Sequence, residues 1–246
     1  MSKLPGTVAR RRIYLMRHGH VNYFSKDLLE GRSDSKSVPL TKLGCEQAQA
    51  AGKALSHITF DRAFSSGYPR TRKTAELVLA AQPAGQAPML HTEPRLVEVE
   101  SGGAHNTTSR QEMIETIAHQ FDNADQASAR MGPEGEYFAA AQARAIEAIE
   151  DLLRAPDWHT VLIAAHEGIN RLLLSWASCR NLSATGAFEQ DTACINVLDF
   201  DLDIDAIDGQ FIKRSLIKAV NVTPYNYTKH GMNQTSLETI FEPYKE

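Results

Sequence analysis

Thr160-Val161-Leu162-Ile163-Ala164-Ala165, followed without a gap by His166-Glu167-Gly168, is the stretch that decides the fold of this 246-residue chain. An unbroken apolar run of strand length, closed by a polar turn, fits a strand buried on both faces, the kind parallel sheets contain. A helical pattern resumes at Ile169 and continues to about Ala177. The same strand-then-helix order repeats on the N-terminal side. Ile13-Tyr14-Leu15-Met16 reads as a strand, followed by a polar loop from about Val21 to Pro39. Thr41 stands where a helix N-cap belongs, ahead of a helix to about Ser56. Phe60 to Ser65 reads as a second strand and Pro69 to about Ala81 as its helix. Gln82 to Pro88, with two prolines and a glycine, reads as a loop. Ile114, Ile117, Ala118 and Phe121 fall at i, i+3, i+4 and i+7, which predicts an amphipathic helix. After Gly132-Pro133 a longer helix carries Phe138, Ala145, Ile149 and Leu152 to about Arg154. Cys194 to Phe200 and Phe211 to Ile217 read as further strands, while the last thirty residues follow no clear pattern. Alternating strands and helices imply an α/β fold, a doubly wound and mostly parallel sheet with helices on both faces.

Composition excludes several classes. Hydrophobic residues make up 42% and charged ones 23%, which rules out a disordered or fibrous chain. The formal net charge of −4 argues against nucleic acid as a partner. Arg10-Arg11-Arg12, the one dense basic run, reads as a solvated flank of the first strand rather than a docking site. Cys45, Cys179 and Cys194 are too few and too scattered for a disulfide framework. No apolar run approaches the roughly 18 residues that cross a bilayer, and the N-terminus lacks the apolar stretch of a signal peptide. The expectation is a cytoplasmic protein of one domain, residues 1–246, that does not bind membranes; its oligomeric state is not legible.

In open parallel sheets, ligands bind beyond the carboxyl ends of the strands. After the first strand comes Arg17-His18-Gly19-His20; after the second, Ser65-Ser66-Gly67 with Arg70 in the first helical turn; after the third, His166-Glu167-Gly168. Taken singly, Arg17 would be a strand-end charge, Arg70 a helix surface residue and His166 a satisfied core histidine. Together they put two arginines and two histidines on one sheet edge. Cations beside the free N–H groups of helix starts make a pocket for a compact anion, phosphate being the common one.

These residues resemble the histidine phosphatase superfamily, the phosphoglycerate-mutase-like proteins with an RHG motif. Arg17-His18-Gly19 matches that motif. Gly31-Arg32-Ser33-Asp34 followed by Pro39-Leu40-Thr41, Gly44 and Gln47-Ala48 is similar to "GxxD…PLTxxGxxQA". Ser65-Ser66 with Arg70 and Thr74-Ala75-Glu76 is similar to "SSPLxRAxxTAE", and Leu96, Glu98 and Gly102 to "LxExxxG". Val161-Leu162-Ile163 leading to His166 is similar to the strand that ends in the family's second histidine. The matches keep the family's order across about residues 13 to 175.

The resemblance implies that His18 is the nucleophile, attacking phosphorus to form a phosphohistidine. Arg17, Arg70 and His166 would bind the phosphoryl oxygens, and Glu98 would serve as general acid and then base. No metal and no other cofactor is implied. The function expected is a metal-independent phosphatase that hydrolyses a small phosphate monoester. A phosphoglycerate mutase-type phosphotransferase and an inactive phospho-ligand binding protein stand as alternatives. The stretch Asn106-Thr107-Thr108-Ser109, lying where mutases carry an arginine-rich clamp, favours hydrolysis. A helical insertion at about 105–155 is expected to cap the site and, with the 20–39 loop, to set selectivity. Several positions depart from the family pattern. His20-Val21 follows the RHG, with Asn22 close by, and both His20 and Asn22 are possible substrate contacts. His18 and His20 have a metal-like HxH spacing but lack a clustered third ligand. Glu167 replaces a usual glycine, placing a carboxylate near the phosphate pocket. Glu98 competes with Glu100, two residues on, which would share its strand face.

Overall fold

A computed structural model describes residues 9–23, 34–102, 110–203, 206 and 210–239. Gly31-Arg32-Ser33 and Asn106 to Ser109 lie outside the described residues. Six strands form one sheet in the order β3-β2-β4-β1-β5-β6. They are β1 (Ala9–Arg17), β2 (Arg62–Ser65), β3 (Leu90–Thr92), β4 (Thr160–Ala165), β5 (Ile195–Leu202) and β6 (Ile212–Val222). The first four run parallel, whereas β5 and β6 are antiparallel to their neighbours. The helices are α1 (Lys42–Leu55), α2 (Pro69–Leu79), α3 (Arg110–Ala118), α4 (Phe138–Arg154), α5 (Glu167–Cys179) and the short α6 (Ser236–Thr239).

The unbroken apolar strands follow from burial on two faces. Alternate residues of β1 and β4 feed opposite cores: Ile13, Leu15, Val161 and Ile163 pack with α4 and α5. Tyr14, Met16, Leu162 and Ala164 pack with α1 and α2. No alternation of polar and apolar residues is then needed, because neither face meets water. Thr41 caps α1 through a bond from the Gly44 N–H to its side chain.

The structure corrects several sequence expectations. Arg10-Arg11-Arg12 is not a solvated flank, because β1 begins at Ala9 and the run lies within it. Arg10 and Arg12 pair across the sheet with buried Asp201 and Asp199 on β5, at 2.6 and 2.7 Å. Arg11 turns to the other face, where it is buried over the Trp158 ring. The helix expected through Phe121 ends at Ala118, and Phe121 is buried in the turns that follow. Helix α4, expected within the cap, buries Phe138, Ala141, Ala145, Ile149 and Leu153 in the same core as β1 and β4. It therefore packs against the sheet and supports it. The unassigned C-terminal stretch supplies the end of β6, a series of turns and α6, whose Ser236 and Leu237 are buried.

Two glycines of the recognised motifs are required by close backbone approach. A Cβ on Gly44 would overlap the His20 carbonyl, and one on Gly102, which also has φ +65°, would overlap the backbone at Glu134 and Gly135. Through the first contact, α1 holds the turn after β1. The Thr41 N–H bonds the His20 carbonyl at 3.0 Å, and the His20 N–H bonds the Gln47 side chain at 2.9 Å. The sign of a Gly44→Ala effect is diagnostic. Alanine in an open helix position gains up to about 1 kcal/mol over glycine, whereas overpacking costs about 1–3 kcal/mol. A net loss is expected here, read as a Tm lowered by a few degrees in thermal unfolding.

Candidate active site

The carboxyl ends of β1, β2 and β4 converge on a cavity of about 600 Å³. Arg17, His18, Arg70 and Glu98 line it, with Tyr68, Lys36 and Glu100 from the loops and Ile117, Phe121 and Met131 from the segment above. His18 and His166 stand edge to face, their rings 5.3 Å apart. Both are buried, as are Arg17 and Arg70.

The two arginines are anchored so that part of each guanidinium is left over. Arg17 Nη1 contacts the Gln190 carbonyl at 2.5 Å and the Glu167 carboxylate at 2.9 Å, and Arg70 Nη1 contacts the Ser35 carbonyl at 2.9 Å. Arg17 Nε and Arg70 Nε are buried with no partner, and so is His166 Nδ1. Buried polar atoms without partners are rare, and each calls for an explanation. The two arginine N–H groups belong to side chains that line the cavity, and they are donors of the kind an anion would satisfy.

Hydrogen-bond direction fixes the tautomers. His18 Nδ1 lies 2.8 Å from the Gly19 carbonyl, which can only accept, so the ring proton is on Nδ1 and Nε2 keeps its lone pair. His166 Nε2 lies 2.8 Å from Ser66 Oγ, which lies 2.9 Å from Thr71 Oγ1, which donates to the Tyr68 carbonyl at 2.9 Å. The Thr71 proton is committed to that carbonyl, so Ser66 donates to Thr71 and accepts from His166 Nε2–H. All three bonds form only in this arrangement, which leaves neutral His166 with a bare Nδ1.

Burial, and then the charges of Arg70 and Arg17, hold the His18 pKa well below the ordinary histidine value. His166 is lowered for the same first reason, with Arg70, His18 and Arg17 adding to it. Desolvation is therefore the first cause of a neutral His18, and the neighbouring arginines are the second. Glu98, half-buried, accepts from the Val99 N–H at 3.0 Å and from the Gly168 and Ile169 N–H groups at 3.3 Å each. Its carboxyl group thus closes the N-terminus of α5, which begins directly after His166. Burial nevertheless raises its pKa. Glu100 lines the same cavity but is exposed and pairs with Lys36 at 2.9 Å, and the stretch that carries both carboxylates is not a strand.

His20 and Asn22 are not brought to His18. They line a neighbouring cavity of about 830 Å³ that shares Arg17 and Tyr23 with the first. His20 Nδ1 is bonded to Thr41 Oγ1 at 2.8 Å. Among the described residues no three His, Cys, Asp or Glu side chains cluster as a metal site. Several site residues escaped the sequence reading. Tyr68 packs 5.2 Å from the His166 ring and lies under the Arg70 guanidinium at 4.9 Å. Arg144 of α4 holds the carbonyls of Arg95, Val97 and Glu98 and so fixes the segment that carries Glu98. Only the two-residue offset of Tyr68 from Arg70 was visible in advance; Arg144 left no local signal.

The family model of the histidine phosphatase superfamily (branch 1) matches residues 13–237, and the chain belongs to that superfamily. Adenosylcobalamin/alpha-ribazole phosphatase of Salmonella typhimurium is 28% identical over 76% of this chain and 90% of its own length. Fructose-2,6-bisphosphatase TIGAR of Xenopus laevis is 33% identical, over 39% of this chain and 34% of that protein. Among solved structures, the alpha-ribazole phosphatase of Shigella flexneri superposes with a TM-score of 0.62 at 25% identity, covering 85% of this chain and 96% of that one. No helix among the described residues is long and apolar enough to cross a membrane.

The bare Nδ1 of His166 has a measurable consequence. An anion oxygen there needs a proton on that nitrogen, and sulfate, a proton-free dianion near neutrality, cannot bring one. Sulfate binding is expected to take up protons, seen in calorimetry as an enthalpy that changes with the ionisation heat of the buffer. His166→Gln should lose the uptake. Equal enthalpies in every buffer would contradict the assigned tautomer.

Proposed function

We propose that the protein is a metal-independent phosphatase that hydrolyses a small phosphate monoester through a phosphohistidine on His18. The observation that carries this reading is the buried His18 imidazole, its Nε2 lone pair free, set among orphaned donors of Arg17 and Arg70. Nε2 attacks phosphorus, and the bond to the ester oxygen breaks. Arg17, Arg70 and protonated His166 hold the phosphoryl oxygens, the electrostatic contribution that dominates phosphoryl transfer. Glu98 gives its proton to the departing oxygen, then takes one from the water that attacks the phosphohistidine, which releases phosphate and restores His18. Burial, which raises the Glu98 pKa against the lowering by its backbone N–H bonds, favours the protonated form this role needs. The relatives named above as phosphatases support hydrolysis, and a free binding site would need neither nucleophile nor acid. A cytoplasmic setting is part of the same reading, supported by three cysteines that are all unpaired.

Incubation with a labelled phosphate ester and acid quench tests the covalent step. Acid-labile, base-stable label on His18 is expected, and an active preparation that never carries it would exclude the route. Glu98→Gln is expected to reduce turnover of esters with poor leaving groups at least about a hundredfold.

The pH dependence follows from the two shifts. His18 must be neutral, and with its pKa below 6.5 the rate rises with pH on the acid side of that value. Glu98 must be protonated, and with its pKa above 4.5 the rate falls as pH climbs through the raised value. A bell on the acidic to neutral side is expected for kcat/KM, and Glu98→Gln should lose its alkaline limb. Activity that climbs steadily into the alkaline range would contradict the assignment.

A further inference from the structure

We propose that Glu167 is a specificity-determining residue, one that restricts the site to phosphate esters of uncharged alcohols. The proposal rests on the phosphatase reading and adds to it the substrate class. Glu167 is 4% exposed, and both of its oxygens are taken. One meets Arg17 Nη1 at 2.9 Å; the other accepts from Arg171 Nη2 at 2.8 Å and from the Ser236 hydroxyl at 2.7 Å. Arg171 in turn reaches Glu189 at 3.0 Å, and the Ser236 N–H bonds Glu189 at 2.8 Å. Held from three directions, the Glu167 carboxylate cannot swing away when an anion arrives.

Charge balance makes this consequential. Arg17, Glu167, Arg171 and Glu189 form a closed set of two cations and two anions. At the mouth Lys36 is neutralised by Glu100, and behind Glu98 Arg144 is neutralised by Glu136. Arg70, which spends Nη1 on backbone carbonyls, is the one arginine or lysine around the cavity with no carboxylate partner among the described residues. One such charge, with two orphaned guanidinium donors, suits a single phosphoryl group, and the described residues supply no further unpaired lysine or arginine for a second. Beyond it the lining mixes apolar side chains, Val99, Ile117, Phe121, Met131 and Leu237, with the uncharged polar Ser101 and Gln120. Among the described residues, a leaving group bearing a carboxylate or a further phosphate would meet Glu167 and Glu100 and no unpaired lysine or arginine.

Glycerol 3-phosphate and 3-phosphoglycerate differ only in a hydroxymethyl against a carboxylate, and so test the class directly. The wild-type protein is expected to favour glycerol 3-phosphate by at least about tenfold in kcat/KM, and Glu167→Gln to shrink that ratio at least about fivefold. Calorimetry with inorganic phosphate gives a reading independent of catalysis: Glu167→Gln should bind it several-fold more tightly. A Glu167 that merely anchored Arg17 would give the opposite result, weaker phosphate binding with an unchanged ratio, and would overturn the proposal. If Glu167→Gln fails to fold, a wild-type ratio near or below one overturns it instead. If no ester is hydrolysed, the phosphatase reading fails alone, and binding of the same two esters to wild-type protein decides the charge preference.

Discussion

Two guanidinium groups are buried beside a neutral imidazole, and the surrounding structure is arranged to make that possible. Removing a charge from water is costly unless hydrogen bonds and counter-charges replace the solvent. For Arg17 the replacement is Glu167 and the Gln190 carbonyl; for Arg70 it is the Ser35 carbonyl together with the face of Tyr68. Neither guanidinium is fully satisfied. The part left unsatisfied is what a phosphoryl group would complete, so stability is given up where binding is needed. The same burial depresses the His18 pKa and raises that of Glu98, so one environment lies behind both shifts.

The sheet supplies the geometry for this. Parallel strands β1, β2 and β4 end at the same edge, and each delivers its turn to one place. The turn after β1 is fixed by α1 through Gly44, Thr41 and Gln47. The turn after β2 presents Ser66, Tyr68 and Arg70, and the Ser66–Thr71 relay orients His166 at the end of β4. Glu98 arrives from outside the strands and ties itself to the N-terminus of α5.

What could be foreseen divides along physical lines. The central strands and most helices were legible because their signals are local: apolar runs, a threonine cap, glycine and proline punctuation. The short β3 left no signal, since three residues of strand depend on a neighbour for pairing. Phe121 kept helical spacing beyond the helix end because a turn can bury the same side chain. Arg10-Arg11-Arg12 looked solvated because charge is usually exposed, and only the partners on β5 show otherwise. Arginines, histidines and Glu98 of the candidate site could be named from the motifs. Tyr68, Arg144 and the tie between Glu167 and Ser236 could not, because they are contacts between segments distant in the chain. His20 and Asn22 stand next to the histidine in sequence, yet face a different cavity.

The paired charges between β1 and β5 act as a ruler. Only at the observed register do Asp199 and Asp201 both meet an arginine of β1, and Arg12 lies five positions before Arg17. Side chains alternate along a strand, so sliding β1 by a single residue would turn His18 toward the opposite side of the sheet. Ions at one end of the strand thereby decide which way the imidazole at the other end points, without ever touching it.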